Sequence, residues 1–323
     1  MSWGGGRQRR AGEKGHPTEG EHSPLSKKPR RPFLPPRPLG RLCVLWLLGL
    51  HHMAGSIFVA SQGLFCNEVS QVLVAGTGSS GSANGVGSSA SFNFPGGMST
   101  SPDGSFVLIA DYSDHKIRKL VVSSGSVSTF AGSGTAGGGN GIGTSAQLNY
   151  PTDVSISSDG LFAVSACNGG LRIRRIVLST RLVTTLGGDG TGGHVNGVGT
   201  NSRFGSPIGI SLYSGDSRAL VGDNINNRVR LIDMLSLQVT TVAGSGTAGG
   251  ADGIGTSATF TYPRYIAVSS NDEFAVVSEW TDHRVRKVVL STWAVSTLAG
   301  SPSDAAGSSD GFQSSQWIIA DLG

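Results

Sequence analysis

The sequence predicts an all-β protein, a β-propeller of four full four-stranded blades with partial strands at its two ends. One proline recurs every 56 residues, at Pro95, Pro151, Pro207 and Pro263. Each repeat contains four short runs rich in β-branched and aromatic residues, and none shows the 3.6-residue period of a helix. Fifty of the 323 residues are glycine, as a chain with many tight turns requires. Tandem units of this kind form the blades of a propeller.

The second repeat illustrates the elements in order. A Gly-rich loop and Pro151 precede "TDVSIS", where alternation places Val154 and Ile156 on one face of an innermost strand. Asp159-Gly160 then supplies a hairpin turn. The runs "FAVSAC", "RIRRIV" and "LVTTLG" follow as the second, third and outermost strands.

The two ends of the repeat region predict an incomplete ring. Before the first full unit, "VSQVLVAG" (Val69 to Gly76) matches the outermost strand of a blade that lacks inner strands. After the fourth unit, "DGFQSSQWIIADLG" reaches only an innermost strand. Unpaired strand edges favour association, so we expect self-association through open blade edges.

Charge is distributed unevenly. Residues 1–41 contain 10 Lys/Arg against 3 Asp/Glu, whereas residues 42–323 contain 15 against 18. The first segment is a basic, Pro-rich arm that we predict to be disordered, because it has too little apolar surface to bury. The slightly acidic remainder predicts no nucleic-acid partner for the propeller, which spans 67–323.

An apolar segment at 42–60 follows the basic arm. Its core, "LCVLWLLGL", and the small residues Ala54 and Ser56 match the order of a secretory signal peptide. An uncleaved membrane anchor is the alternative, which His51 and His52 disfavour. A third interpretation places the true start at Met53. The first two predict the secretory pathway, with the protein either secreted or anchored to a membrane.

The repeats resemble the NHL-repeat family in the segments "VSTLAGSGTAG", "DGIGT" and "VVSEWTDHRVRKV". The resemblance covers about residues 68–299 and implies a propeller, usually six-bladed, that serves mostly as a binding platform. The family's Asn-His-Arg turn falls on Asp114-His115-Lys116, Gly170-Leu171-Arg172, Asn226-Asn227-Arg228 and Asp282-His283-Arg284. The Asp that ends the family's second strand falls on Asp111, Cys167, Asp223 and Glu279.

Other repeated polar positions favour structural roles. We expect the arginines of the third strands to pair with the carboxylates that end the second strands, at the surfaces between blades. An exposed basic ring for phosphate is the alternative. The Asn or Asp before each loop glycine is expected to bond local backbone in a turn. Cys167 either pairs with Cys66 or is a small buried hydrophobe.

Positions that break the repeat are the candidates for ligand binding, because a scaffold position repeats and a ligand site need not. The two residues after each repeated proline are Gly96-Gly97, Thr152-Asp153, Ile208-Gly209 and Arg264-Tyr265. These begin the innermost strands, at one mouth of the propeller. We therefore predict ligand binding by Asp153, Arg264 and Tyr265. The competing interpretation is that they are solvated loop residues.

The sequence favours a non-enzymatic binding platform that presents loops of one face to a protein or glycan partner. We predict no catalytic residues, metal or cofactor. The alternative is a metal-dependent hydrolase or lyase resembling the gluconolactonases, with Asp153 and Asn224 contributing to the metal site. No Glu begins an inner strand, which disfavours that alternative.

Overall fold

The computed structural model describes residues 57–61 and 70–300, whose regular structure is almost entirely β-strand. The arm at 1–41, residues 42–56 of the apolar segment and the innermost strand predicted after Gly300 lie outside the described residues. Within the described part, no helix has the length and apolar character that a membrane span needs. The helices there are single 3-10 turns at Gly87–Ser89, Tyr112–Asp114, Gly143–Ser145, Gly199–Asn201 and Gly255–Ser257.

A partial blade precedes the full ones. Strands β1 (Ile57–Ser61) and β2 (Ser70–Ala75) pair as an antiparallel two-stranded sheet. β2 is the outermost strand that the sequence predicts. Gly76, which follows it, donates its N–H to the Gly87 carbonyl. Gly132, Gly188 and Gly244, which follow the outermost strands of the first three full blades, make the equivalent bond. β1 adds a second strand to this partial blade. The last residues of the apolar segment 42–60 are therefore extended strand backbone.

Four five-stranded antiparallel sheets form the full blades, which confirms the predicted propeller. The first blade contains β3 (Gly85–Val86), β4 (Pro95–Thr100), β5 (Phe106–Asp111), β6 (Lys116–Val121) and β7 (Ser126–Ala131). The second contains β8 (Gly141–Ile142), β9 (Pro151–Ile156), β10 (Phe162–Cys167), β11 (Arg172–Val177) and β12 (Leu182–Gly187). The third contains β13 (Gly197–Val198), β14 (Pro207–Tyr213), β15 (Arg218–Asp223), β16 (Arg228–Asp233) and β17 (Gln238–Ala243). The fourth contains β18 (Gly253–Ile254), β19 (Pro263–Val268), β20 (Phe274–Glu279), β21 (Val285–Val289) and β22 (Ala294–Ala299).

The sequence predicted four strands per blade, and each blade has a fifth of two residues. In the first blade Gly85 and Val86 pair with Val127 and Ser126 of the outermost strand. The loop folds back so closely that a Cβ on Gly85 would lie 2.8 Å from the backbone of Ser89. Because alternation of side chains needs several residues to be visible, a two-residue strand leaves no period-2 pattern in the sequence.

Hydrophobic cores lie between successive blades. Leu108 and Ala110 of the first blade, for example, pack in one buried cluster with Val154 and Ala163 of the second. The innermost strands β4, β9, β14 and β19 contact one another in chain order. Among the described residues, no contact of similar extent joins β19 to β4. The mouth of the propeller is thus framed by four consecutive inner strands.

One buried arginine on the third strand of each blade fixes the preceding Gly-rich loop. Nη1 of Arg118 lies 2.8 Å from Oδ2 of Asp111 and donates to the Ser91 carbonyl, while Nη2 donates to Oδ1 of Asn84. Asp223 and Glu279 pair with the equivalent arginines at 3.0 and 3.3 Å. The pairing was predicted, and burial of all four arginines excludes the exposed basic ring. These arginines are Arg118, Arg174, Arg230 and Arg286.

The residue before each loop glycine has a different role from the one predicted. Asn84, Asn140 and Asn196 each accept a hydrogen bond from the arginine of their blade at 2.9 to 3.0 Å, and Asp252 does so at 2.7 Å. The expectation that these side chains bond only local turn backbone was therefore wrong. The arginine lies more than thirty residues further along the chain, a distance over which local turn rules carry no information.

Candidate functional site

The innermost strands begin in close contact at the mouth. A Cβ on Gly96 would lie 2.5 Å from the Thr152 carbonyl oxygen, and one on Gly209 would lie 2.7 Å from the Arg264 carbonyl oxygen. Thr152 in turn donates from Oγ1 to the Ile208 carbonyl at 2.7 Å. Glycine at Gly96 and Gly209 therefore permits the neighbouring inner strand to approach closely. The non-glycine residues of the four pairs place side chains at the mouth.

Asp153 is buried between the second and third blades. Its side chain accepts the N–H of Val154 at Oδ1 (2.8 Å) and that of Ile210, on β14, at Oδ2 (2.9 Å). Burial raises the pKa of Asp153 to about 7, and the two N–H donors oppose that rise only in part. The residue is 9% exposed. Asp153 is therefore not a solvated loop residue, and its carboxylate is not exposed at the mouth. It links two inner strands.

Arg264, the second residue of β19, has a different environment. Its guanidinium carbon lies 4.7 Å from the ring centroid of Trp280 and 5.5 Å from that of Tyr265. No carboxylate in the range 70–300 lies within ion-pair distance of it. Its Nε is buried without a hydrogen-bond partner. The charge is thus held by aromatic faces rather than by an acid.

The three residues predicted from sequence come together with a fourth from the first blade. Burial raises the pKa of Tyr265, with the charge of Arg264 opposing the rise and that of Asp153 adding to it. Burial also raises the pKa of Tyr112, and the charge of Arg264 opposes that rise. Arg264, in the fourth blade, therefore lies close enough to act electrostatically on a phenol of the first blade.

Tyr112 and Trp280 were missed in the sequence analysis. They directly follow the second strands of the first and fourth blades, and the equivalent residues are Asn168 and Asn224. Both asparagines hydrogen-bond to the beginning of the next blade's inner strand. These positions break the repeat at the end of the second strand, just as Arg264 breaks it at the start of the inner strand. That break is the signal in the sequence that points to them.

Exposed aromatic residues with left-handed backbone surround the mouth. Phe94, Tyr150 and Tyr262 have φ of +56°, +51° and +53°, a region that bulky side chains rarely adopt. Tyr150 packs 4.7 Å from the ring of Tyr112, and its N–H donates to Nδ1 of His115 at 3.1 Å. Such strain persists only where surrounding contacts impose it, and it is common at ligand sites.

We call one set of side chains the aromatic mouth. It consists of Tyr112, Tyr150, Arg264, Tyr265 and Trp280. Trp280 is its most open member, with 55% of its surface exposed. The set combines flat apolar faces, phenolic hydroxyls and a cation that has no acidic partner among residues 70–300.

No group of three or more His, Cys, Asp or Glu side chains is arranged to hold a metal in the part of the chain that the structure describes. The two residues that the sequence suggested for a metal site are engaged elsewhere. Asp153 accepts two backbone N–H groups. Asn224 donates from Nδ2 to the Pro263 carbonyl at 3.3 Å.

No family model matches the chain. Sequence comparison finds several similar proteins. Protein SUPPRESSOR OF QUENCHING 1, chloroplastic, of Arabidopsis thaliana is 26% identical over 241 residues, which cover 71% of this chain and 23% of that protein. NHL repeat-containing protein 2 of Bos taurus is 27% identical over 192 residues, covering 56% and 26%. The Homo sapiens protein of that name is 28% identical over 107 residues, covering 33% and 15%. The chain spans about a quarter or less of these relatives.

Two solved structures share the fold. An auxiliary nutrient binding protein from Bacteroides ovatus superposes with a TM-score of 0.54 at 16% identity, covering 75% of this chain and 56% of that one. A second protein of that description, from Bacteroides thetaiotaomicron, gives a TM-score of 0.53 at 14% identity with the same coverage. At such low identity the likeness concerns the propeller architecture alone.

Proposed function

We propose that this chain, a member of the NHL-repeat β-propeller family, is a non-enzymatic binding platform whose ligand contacts the aromatic mouth. One observation carries the proposal: Arg264 has no acidic partner in the described structure and lies against Trp280 and Tyr265 at the point where the repeat is broken. Exposed aromatic groups rimmed by polar atoms mark interaction surfaces. The partner is a protein or a glycan.

Burial distinguishes this surface from the rest of the repeated scaffold. The Asp or Glu that ends each second strand in three blades is completely buried and paired with an arginine. Aromatic and arginine side chains at a mouth are the residue types that contribute most at binding interfaces. The names of the Bacteroides neighbours, which describe nutrient binding, are consistent with a binding role for the fold.

An array of immobilised glycans and peptides tests the proposal. Full-length protein is compared with Trp280→Ala and with a control, Leu235→Ala. Leu235 is 94% exposed and lies in the turn after β16, at the opposite end of the strands from the mouth. We expect ligands that bind the wild type to lose about tenfold or more in affinity to Trp280→Ala, as for an interface hot spot, and to bind Leu235→Ala normally. Equal binding by wild type and Trp280→Ala would contradict the proposal.

We also propose that the protein enters the secretory pathway, on the basis of the basic arm at 1–41 and the apolar segment at 42–60. Fractionation of cells that express the full chain, followed by protease protection, tests this. Protection of the propeller inside membrane vesicles, or its secretion, supports the proposal. A cytosolic chain that keeps its N-terminus contradicts it.

A further inference from the structure

The cation of the mouth is available to a ligand. The four repeated arginines donate to carbonyls and to carboxylate or amide oxygens within their own blades. Arg264 instead rests on the rings of Trp280 and Tyr265 and is partly exposed. A guanidinium held by its flat face retains N–H groups along its edge, and that edge matches the two oxygens of a carboxylate.

The surroundings of Arg264 are flat and apolar, with hydroxyl groups between the rings. Trp280 exposes more than half of its surface, and Tyr112 contributes a phenol from the first blade. Burial raises the pKa of both Tyr112 and Tyr265, so their hydroxyls remain protonated and able to donate hydrogen bonds at neutral pH. Aromatic rings offer a quadrupolar face to C–H groups stacked on them.

Asp153 forms no ion pair with the guanidinium of Arg264 in the described structure. Asp153 uses both carboxylate oxygens to accept backbone N–H groups, and it lies beneath the mouth surface. The remainder of the chain supplies no general attraction for anions, since residues 42–323 contain 15 Lys/Arg against 18 Asp/Glu. Selectivity for an anion would therefore depend on Arg264 itself.

We propose that the aromatic mouth binds a saccharide that carries a carboxylate, such as a uronic acid residue. Arg264 binds the carboxylate through its terminal N–H groups, Trp280 stacks on the C–H face of the sugar ring, and the hydroxyls of Tyr112 and Tyr265 bond the hydroxyl groups of the sugar. This inference rests on the proposed function, because it names the ligand class of the same mouth.

A saccharide fits the mouth better than a peptide. Strand addition requires an open sheet edge, whereas β9 is bonded through Thr152 and Asp153 to β14 at the mouth. The side chains of the aromatic mouth offer ring faces and hydroxyls beside one cation. A pyranose ring with a C–H face, a carboxylate substituent and several hydroxyl groups complements all three.

The test uses two saccharides that differ only in whether their carboxylates are free or methyl-esterified. Tetragalacturonate and its fully methyl-esterified form are titrated calorimetrically into full-length wild type, Arg264→Gln and Arg181→Gln. Arg181 is an exposed arginine at the opposite end of the strands. We expect the acid to bind the wild type about tenfold or more tightly than the ester, as a lost charge-assisted bidentate contact implies. Arg264→Gln should lose that preference, and Arg181→Gln should retain it.

Two further variants keep the outcome interpretable. Arg264→Lys retains the charge without the planar fork and should bind the acid with intermediate affinity. Trp280→Ala should weaken binding of acid and ester alike. Thermal melts of each variant identify any loss of fold, in which case Arg264→Lys replaces Arg264→Gln as the deciding comparison.

The results separate failure of this inference from failure of the proposed function. Equal affinity for acid and ester, or an acid preference that survives in Arg264→Gln, overturns the inference. Binding of a hexaglutamate peptide in place of both saccharides, with loss in Arg264→Gln, also overturns it but leaves the binding platform standing. If no probe on the array depends on Trp280 either, both proposals fail.

Discussion

Oδ2 of Asp111 lies 2.8 Å from Nη1 of Arg118, and both side chains are completely buried. The third and fourth blades repeat this pair with Asp223 and Glu279. The second blade places Cys167 at the same position, as a free buried thiol, so Arg174 is buried without a carboxylate. Burial lowers the pKa of Arg174 accordingly. The second blade is therefore the electrostatically incomplete one.

Cys167→Asp should stabilise the protein. The new carboxylate would pair with Arg174 and accept the N–H of Asn149, as Asp111 accepts the N–H of Asn93 in the first blade. A hydrogen bond to a charged group contributes on the order of 1 kcal/mol or somewhat more, so the melting temperature should rise by a few degrees, measured by calorimetry.

Cys167→Ala is the control for that variant, since it removes the thiol without adding a charge. It should leave the melting temperature unchanged or lower it. A lower melting temperature for Cys167→Asp than for Cys167→Ala would show that the cost of burying the carboxylate exceeds its attraction to Arg174.

Asp223→Ala should destabilise the protein strongly. It leaves the guanidinium of Arg230 buried and unpaired, a situation that costs about 3–5 kcal/mol. Urea unfolding measures the change. Asp189→Ala removes an acid from the partly exposed pair with Arg203 and should have little or no effect, because solvent screens that pair. Similar losses in both variants would contradict the prediction.

Stability should depend on pH through Asp153. Its pKa in the folded state, about 7, lies above the ordinary value of 3.8, so the folded state binds more protons between these values. The contribution of this group to the free energy of unfolding is therefore fully present below about pH 4 and is lost as the pH rises to about 7.

Urea unfolding of wild type and Asp153→Asn at about pH 4.5 and about pH 7.5 isolates this effect. The stability of the wild type relative to Asp153→Asn should fall between the lower and the higher pH. A difference that stays constant or grows would mean that the Asp153 carboxyl ionises in the folded state as it does in water.

Chelation should not affect ligand binding. Both oxygens of Asp153 and the amide of Asn224 are already hydrogen-bonded to backbone, so we expect no stoichiometric divalent ion in the purified protein and unchanged affinity after dialysis against EDTA. Elemental analysis and the array titrations measure this. A bound divalent ion whose removal abolishes binding would favour the metal-dependent alternative.

The local sequence pattern was sufficient to predict the blades. The spacing of the prolines, the alternation in strands such as Pro151–Ile156 and the positive φ of Gly104 and Gly160 all follow from residues a few positions apart. The pairing of Arg118 with Asp111 was also predictable, because both residues lie on adjacent strands of one hairpin. The repeat then copies each of these relations into every blade.

Which side chains meet at the mouth was decided only by the tertiary structure. Breaks in the repeat identified Arg264, Tyr265 and Asp153. In the structure, the packing of β9 against β14 buries Asp153. Arg264, on β19, lies beside aromatic rings. Tyr112 joins them from the first blade. Contacts between blades depend on how successive sheets pack around the axis, and a residue's exposure there is a property of its neighbours rather than of its own repeat.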